Sequence, residues 1–156
     1  MKKMAKLKIG DVVEISTSKG FTYAQYTHKH KQYGALLRVF GLIYNDRPAD
    51  IKNLISEEPV FSCFFPLSAS VDQQIVFIVG NEEVPVDAQN FPIFRAGMIN
   101  QATKKVDVWW LWDGEKEWKI GDLDSEQRKL PIRGVWNDTL LIERIESGWT
   151  PETDPS

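Results

Sequence analysis

Cysteine and histidine are scarce in this chain of 156 residues, which has one cysteine, Cys63, and two histidines, His28 and His30. A lone thiol has no intramolecular disulfide partner, so Cys63, set in the apolar run VFSCFF, reads as a packed side chain in a protein of a reducing compartment. Burial among phenylalanines raises a thiol's pKa and suppresses the thiolate, which argues against nucleophilic catalysis there. The order His28-Lys29-His30 puts both imidazoles on one face of an extended strand. Two imidazoles begin a metal site, but zinc takes three or four ligands and only a distant carboxylate remains to supply the rest. The expectation is a solvated basic strand, with no metal and no cofactor.

Long apolar runs are missing as well. Nothing approaches the length of a membrane span, and the basic opening MKKMAKLKIGD lacks the apolar segment of a secretory signal. A soluble cytoplasmic protein with no membrane partner is expected. There is no Gly-x-Ser-x-Gly elbow and no phosphate-cradling glycine loop of the Walker or dinucleotide type. An acid–base pair of His28 or His30 with a carboxylate stays open, because such pairs are spatial rather than sequential. No catalytic residue is assigned, and the chain is not expected to be an enzyme.

Present instead is enough apolar and aromatic material for one core. Hydrophobic residues make up 42% of the chain and aromatics 12%, which excludes general disorder and suits a single domain. We place that β-rich domain at residues 1–150, followed by a flexible tail at 151–156. The net charge of −3 conceals an asymmetry, since residues 1–38 hold eight Lys/Arg against two Asp/Glu and the remainder eleven against twenty. An acidic body is ill suited to nucleic-acid phosphates, so no direct nucleic-acid partner is expected, and it complements a basic protein.

Strands are predicted over residues 12–15 and 21–28. The run ALLRVFGLIY follows as a central strand, its length also fitting a helix, and further strands cover 60–65 and 75–79. Pro85, Pro92 and Gly97 break the middle into extended pieces such as FPIFRAG. A short helix starts at Arg47 and Pro48, with Ile51, Leu54 and Ile55 at helical spacing, and ends near Ser56. Asp124 and Gln127 form a capping-box pattern for a second brief helix, closed by Leu130-Pro131. Trp136-Asn137-Asp138 reads as a turn, and residues 139–146 as a final strand. The fold class is mainly β or α+β: a bent antiparallel sheet or partly open small barrel with two short helices.

Residues 106–120, VDVWWLWDGEKEWKI, carry four of the six tryptophans and read as a β-hairpin around Asp113 and Gly114. A two-residue loop pairs Trp109 with Trp118, Trp110 with Glu117 and Trp112 with Glu115; a four-residue loop changes these pairings. In the two-residue register Trp109, Leu111, Trp118 and Ile120 face the core. Trp110 and Trp112 then share the other face with Glu115 and Glu117. These four residues form the candidate partner-binding surface, because aromatic anchors ringed by polar groups are the usual energetic centre of a protein interface. An ordinary hairpin tip, with its tryptophans under another segment, is the competing possibility.

The segments GDVVEIST, FTYAQY and YGALLRVF resemble the bacterial immunity proteins grouped as the immunity protein 26 family, through Gly10, Asp11, Val12, Tyr23, Gln25, Tyr33 and Gly34. The likeness covers the first third of the chain, and GFTYAQYTHKH has fewer glycines than the family pattern. The resemblance implies a β-rich protein encoded beside a polymorphic toxin, which it inhibits by stoichiometric binding in the producing cell. A basic nuclease is one toxin that would suit the acidic body. Two other readings stand beside it. One is a small-barrel endoribonuclease, suggested by the GDVV opening, in which His28 and Arg38 would be needed. The other is a peptide- or small-ligand-binding module.

Overall fold

The computed structural model describes residues 6–156. Residues 1–5, which include Lys2 and Lys3 of the basic opening, lie outside the described residues. Five strands, β1 (Asp11–Thr17), β2 (Gly20–His30), β3 (Gly34–Val39), β4 (Phe61–Phe65) and β5 (Val76–Asn81), form an antiparallel sheet in the order β4-β3-β2-β1-β5. Three more, β6 (Phe94–Ala96), β7 (Trp109–Trp112) and β8 (Glu117–Gly121), form a second antiparallel sheet in sequence order. The protein is therefore mainly β with short helices, as expected. Among the described residues the strands divide between two sheets, and no closed barrel forms.

The β1 strand opens at a turn that only glycine fits. Gly10 has φ +98°, and a Cβ there would lie 2.4 Å from the Glu82 carbonyl oxygen. Asp11 ties the turn down by accepting from the Lys8 amide at 2.9 Å and the Asn81 side chain at 2.9 Å. The apolar run expected as a central strand is β3, flanked by β2 and β4. It stops at Val39, because Gly41 turns away with φ +77° against Val60.

Alternation gives the larger sheet two buried faces. One carries Val13, Ile15, Ala24, Leu37, Val39, Phe61, Cys63 and Phe65, the main core. The opposite face carries two smaller apolar clusters. Val12, Tyr23 and Phe40 pack with Leu54 and Ile55, while Leu36 and Phe64 pack with Phe94 and Trp112. Between them runs a polar row, Gln25, Arg38 and Ser62, which are direct cross-strand neighbours on β2, β3 and β4.

The helices differ from expectation in instructive ways. Helix α1 (Ile51–Ile55) carries the predicted apolar stripe, but Asp50 caps it by accepting from the Asn53 amide at 2.9 Å, so it begins after Pro48. Helix α2 (Leu67–Asp72) follows β4 and was not foreseen. The Asp124–Gln127 capping box is realised, with reciprocal bonds of 2.8 and 2.9 Å, but it opens only a 3-10 turn at Gln127–Lys129.

The expected final strand at 139–146 is instead helix α3 (Asp138–Ser147). Asn137, read as part of a turn, is its N-cap and accepts from the Leu140 amide at 2.8 Å. Leu141 and Ile145, one helical turn apart, are buried in the main core, and Gly148 ends the helix in the left-handed conformation at φ +70°.

The tail at 151–156, expected to be flexible, is packed. Pro151–Thr153 form a 3-10 turn, and Asp154 accepts from the Trp149 indole at 3.0 Å and pairs with Arg144 at 3.6 Å. Arg95 and Arg128 donate to the Pro151 and Asp154 carbonyls at 3.0 and 2.7 Å. The Arg144 guanidinium lies 4.5 Å from the Trp136 ring and 4.2 Å from the Trp149 ring, so charge and aromatic faces hold the segment together.

Candidate protein-contact surface

The hairpin expected at 106–120 forms, with the four-residue loop. Trp112 pairs with Glu117, Leu111 with Trp118 and Trp110 with Lys119, while Trp109 lies opposite Gly121 beyond a bulge. Asp113 sets this register. Its Oδ1 accepts from the amides of Glu115 at 2.9 Å and Lys116 at 2.8 Å, and its own amide donates to the Lys116 carbonyl at 3.1 Å. Such a carboxylate closes a turn on its own backbone, so the Asp-Gly pair does not need to make a two-residue loop. The Lys116 and Glu115 amides hold the Asp113 carboxyl below the usual carboxylate range.

The shift changes the partners of the tryptophans but not their faces, and packing decides which of them are covered. The predicted Trp109–Trp118 pair does not form; Trp109 is buried, whereas Trp118 is 41% exposed. Trp112, predicted to be part of a contact surface, is buried at 5% exposure. Its ring centroid lies 4.9 Å from that of His30, 5.1 Å from Tyr33, 5.4 Å from Phe94 and 5.7 Å from Phe91. It anchors the tip to the larger sheet. Trp110 is 37% exposed, and Glu115 and Glu117 are exposed. Because Trp110 pairs with Lys119 and Trp118 with Leu111, the two exposed indoles stand on opposite faces of the ribbon.

Glu117 is engaged. Arg133 Nη1 donates to its carboxylate at 2.8 Å, and the same guanidinium lies 5.4 Å from the Trp112 ring. Glu115 has no side-chain partner among the described residues. Of the four predicted contact residues, Trp110 and Glu115 therefore present free groups, Glu117 a paired one, and Trp112 none.

The tip is fixed from below by His30. Its Nδ1 accepts from the amides of Gln32 at 3.1 Å and Tyr33 at 3.2 Å, which leaves the ring proton on Nε2 to donate to the Gly114 carbonyl at 2.7 Å. Gly114 itself, at φ +103°, sits so close to Phe91 that a Cβ would meet its ring at 2.9 Å. His28 lies on the same side of β2 as His30, with Nε2 on the Gln89 carbonyl at 2.8 Å and Nδ1 on the Thr27 hydroxyl at 2.9 Å. Each imidazole is thus committed at both nitrogens within the protein. Among the described residues no group of three or more His, Cys, Asp or Glu could hold a metal ion. Cys63 is fully buried, and that burial pushes its thiol up.

Comparison with family models, characterised proteins and solved structures finds no match to this chain. The seven residues from which a likeness to immunity proteins was expected lie in the opening strands and turns. Val12, Tyr23 and Gln25 are wholly buried, and Gln25 Nε2 donates to the Glu82 carbonyl at 2.9 Å, tying β2 to the segment after β5. No helix of the described residues is long and apolar enough to cross a membrane.

Sequence reasoning set His28 and Arg38 side by side only as residues a nuclease would need. The structure brings them to one cavity of about 190 Å³ over strands β2, β3 and β4 of the larger sheet, with Ser62, Glu58 and Asp87. The missed signal was the alternation itself: Gln25, Arg38 and Ser62 are polar residues inside three consecutive apolar strands.

Proposed function

We propose that this chain is a cytoplasmic immunity protein that neutralises a cognate toxin domain by forming a stoichiometric complex, without turnover. The observation that carries this reading is the exposed Trp110 on a hairpin whose tip is rigidly held by buried Trp112 and by the His30–Gly114 bond. A large aromatic on a preformed support binds with little loss of conformational freedom, which is what an interface anchor requires. Glu115 in the loop at the hairpin tip and the acidic body from residue 39 onward give the surface a sign that suits a basic toxin such as a nuclease, steering encounter more than setting affinity. The likeness of the opening strands to immunity proteins supports the same reading.

The test uses the toxin domain encoded beside this chain, in a survival assay and in a binding titration. Trp110→Ala weakens binding by roughly 30-fold or more, the scale of a hot spot at about 2 kcal/mol. Glu115→Lys weakens protection more than reversal of Lys2 and Lys3 does. Glu115 is a cleaner probe than Glu117, whose reversal also breaks its bond to Arg133. Full protection by a folded Trp110→Ala, Glu115→Lys double variant removes the hairpin tip from the interface.

A further inference from the structure

The cavity between the two apolar clusters on the second face of the larger sheet is lined by an arginine whose guanidinium has few partners within the protein. Arg38 is only 8% exposed. A guanidinium has five N–H donors, yet in the protein Arg38 reaches a single acceptor, Gln25 Oε1, at a long 3.5 Å. Its other neighbour is the Phe40 ring, 5.3 Å away, and it forms no salt bridge among the described residues. Burial pushes its pKa down, and the charges of Asp87 and Glu58 act against that shift. Its remaining N–H groups are accessible and open onto the cavity, where water or a ligand can supply their bonds.

The rest of the cavity indicates what supplies them. Its wall includes the Ser62 hydroxyl, beside Arg38 in the cross-strand row, and the Asn90 amide. Its rim carries Glu58 and Asp87, neither of which makes a hydrogen bond or salt bridge among the described residues. A bare anion would meet Arg38 but would also face two carboxylates. A phosphate-rich ligand is disfavoured most, because it carries the greatest negative charge past that rim. A ligand with one negative and one positive end fits both features. At about 190 Å³ the space is below the roughly 300–1,000 Å³ of drug-sized sites, which suits a small occupant near the size of an amino acid.

We propose that this cavity binds a small zwitterion of amino-acid class, its carboxylate held by Arg38 and Ser62 and its ammonium by the Asp87–Glu58 rim. The paired, planar donors of a guanidinium match a carboxylate in bidentate fashion. The site is separate from the hairpin tip, so it stands or falls independently of toxin neutralisation.

Calorimetric titration of the full chain decides it, with L-alanine, L-serine and L-lysine as ligands and propionate, ethylamine and adenosine monophosphate as controls. The expected result is one-to-one binding of at least one amino acid with Kd below about 1 mM, at least tenfold tighter than any control. Asp87→Asn, on the rim, weakens that binding about tenfold or more, and Arg38→Gln abolishes it. If Arg38→Gln does not fold, Ser62→Ala and Asp87→Asn carry the decision by their weakening. Failure of all three amino acids to titrate, undiminished binding by folded Asp87→Asn, or tighter binding of the nucleotide overturns the proposal.

Discussion

His30 holds more of the molecule together than its position on a basic strand suggests. One ring joins the turn after β2 to the tip of the hairpin, through two amides on Nδ1 and the Gly114 carbonyl on Nε2. His30→Ala leaves those backbone groups without their partner, at a cost of roughly 1–3 kcal/mol, measured as a lower urea midpoint. Unchanged stability would mean that water replaces the imidazole there. Glu14 is the second such residue. Arg47 bonds it at 2.8 and 3.2 Å, and the Tyr23 hydroxyl donates at 2.8 Å. The bond from Arg47 leads in holding its carboxyl below the ordinary value, with burial opposing and Tyr23 assisting. A folded value below the unfolded one means that Glu14 stabilises fully above the ordinary Glu range of about 4.3. That contribution is lost as the pH falls through the lowered folded value. Stability measured from pH 7 down to pH 3 should therefore fall more steeply for the parent chain than for Glu14→Gln.

Two elements show how local signals were read and misread. Helix α3 had its full punctuation in the chain: Asn137 as cap, Leu141 and Ile145 one turn apart, and Gly148 as stop. The pair Asn137-Asp138 also starts turns, and Leu140, Leu141 and Ile142 are as apolar as a strand, so the shorter period prevailed in the sequence reading. Asn137→Ala should cost about 0.5–2 kcal/mol in chemical denaturation and remove helical ellipticity, an effect that a strand at this place would not show. In the hairpin, strand content was legible from the tryptophans, but register depended on where one carboxylate turned. Asp113 binds the Glu115 and Lys116 amides and so changes which residues pair, but a two-residue shift leaves each side chain on its face; packing buries Trp112 in the cluster with Phe64 and Phe94 and leaves Trp118 exposed. Nothing in the alternation distinguishes the two loop lengths. The candidate surface was accordingly half legible: Trp110 and Glu115 are exposed, whereas Trp112 serves the support.

At the scale of the whole molecule, the C-terminal segment belongs to the structure. Its composition, rich in proline and threonine, resembles a frayed end. Yet it gives acceptors to three arginines that are otherwise short of them. Arg95 is wholly buried, its pKa lowered to about 10, chiefly by burial and also by the Arg128 charge, and its guanidinium rests 4.9 Å from the Trp109 ring. Removing residues 150–156 should cost more than the roughly 0.5 kcal/mol of an ordinary surface change, read as a lower thermal midpoint. Amide exchange should quicken first in β6 and β7. A truncated chain with the parent midpoint would show that Arg95 and Arg144 find other partners.

The sequence by itself determined the class of the fold, the opening strands and the apolar stripe of α1, because those depend on periods of two and 3.6 residues and on glycine turns that are local. It also placed Cys63 in the core through its apolar neighbours. Tertiary structure alone decided the hairpin register, the packed tail and the meeting of Arg38 with Asp87 and Glu58. The tail and the cavity rest on polar groups whose partners lie far apart in the chain, and the register rests on Asp113 closing a turn on its own backbone. Hydrophobic periodicity tells which way a side chain faces, but it does not tell which distant donor or acceptor waits there.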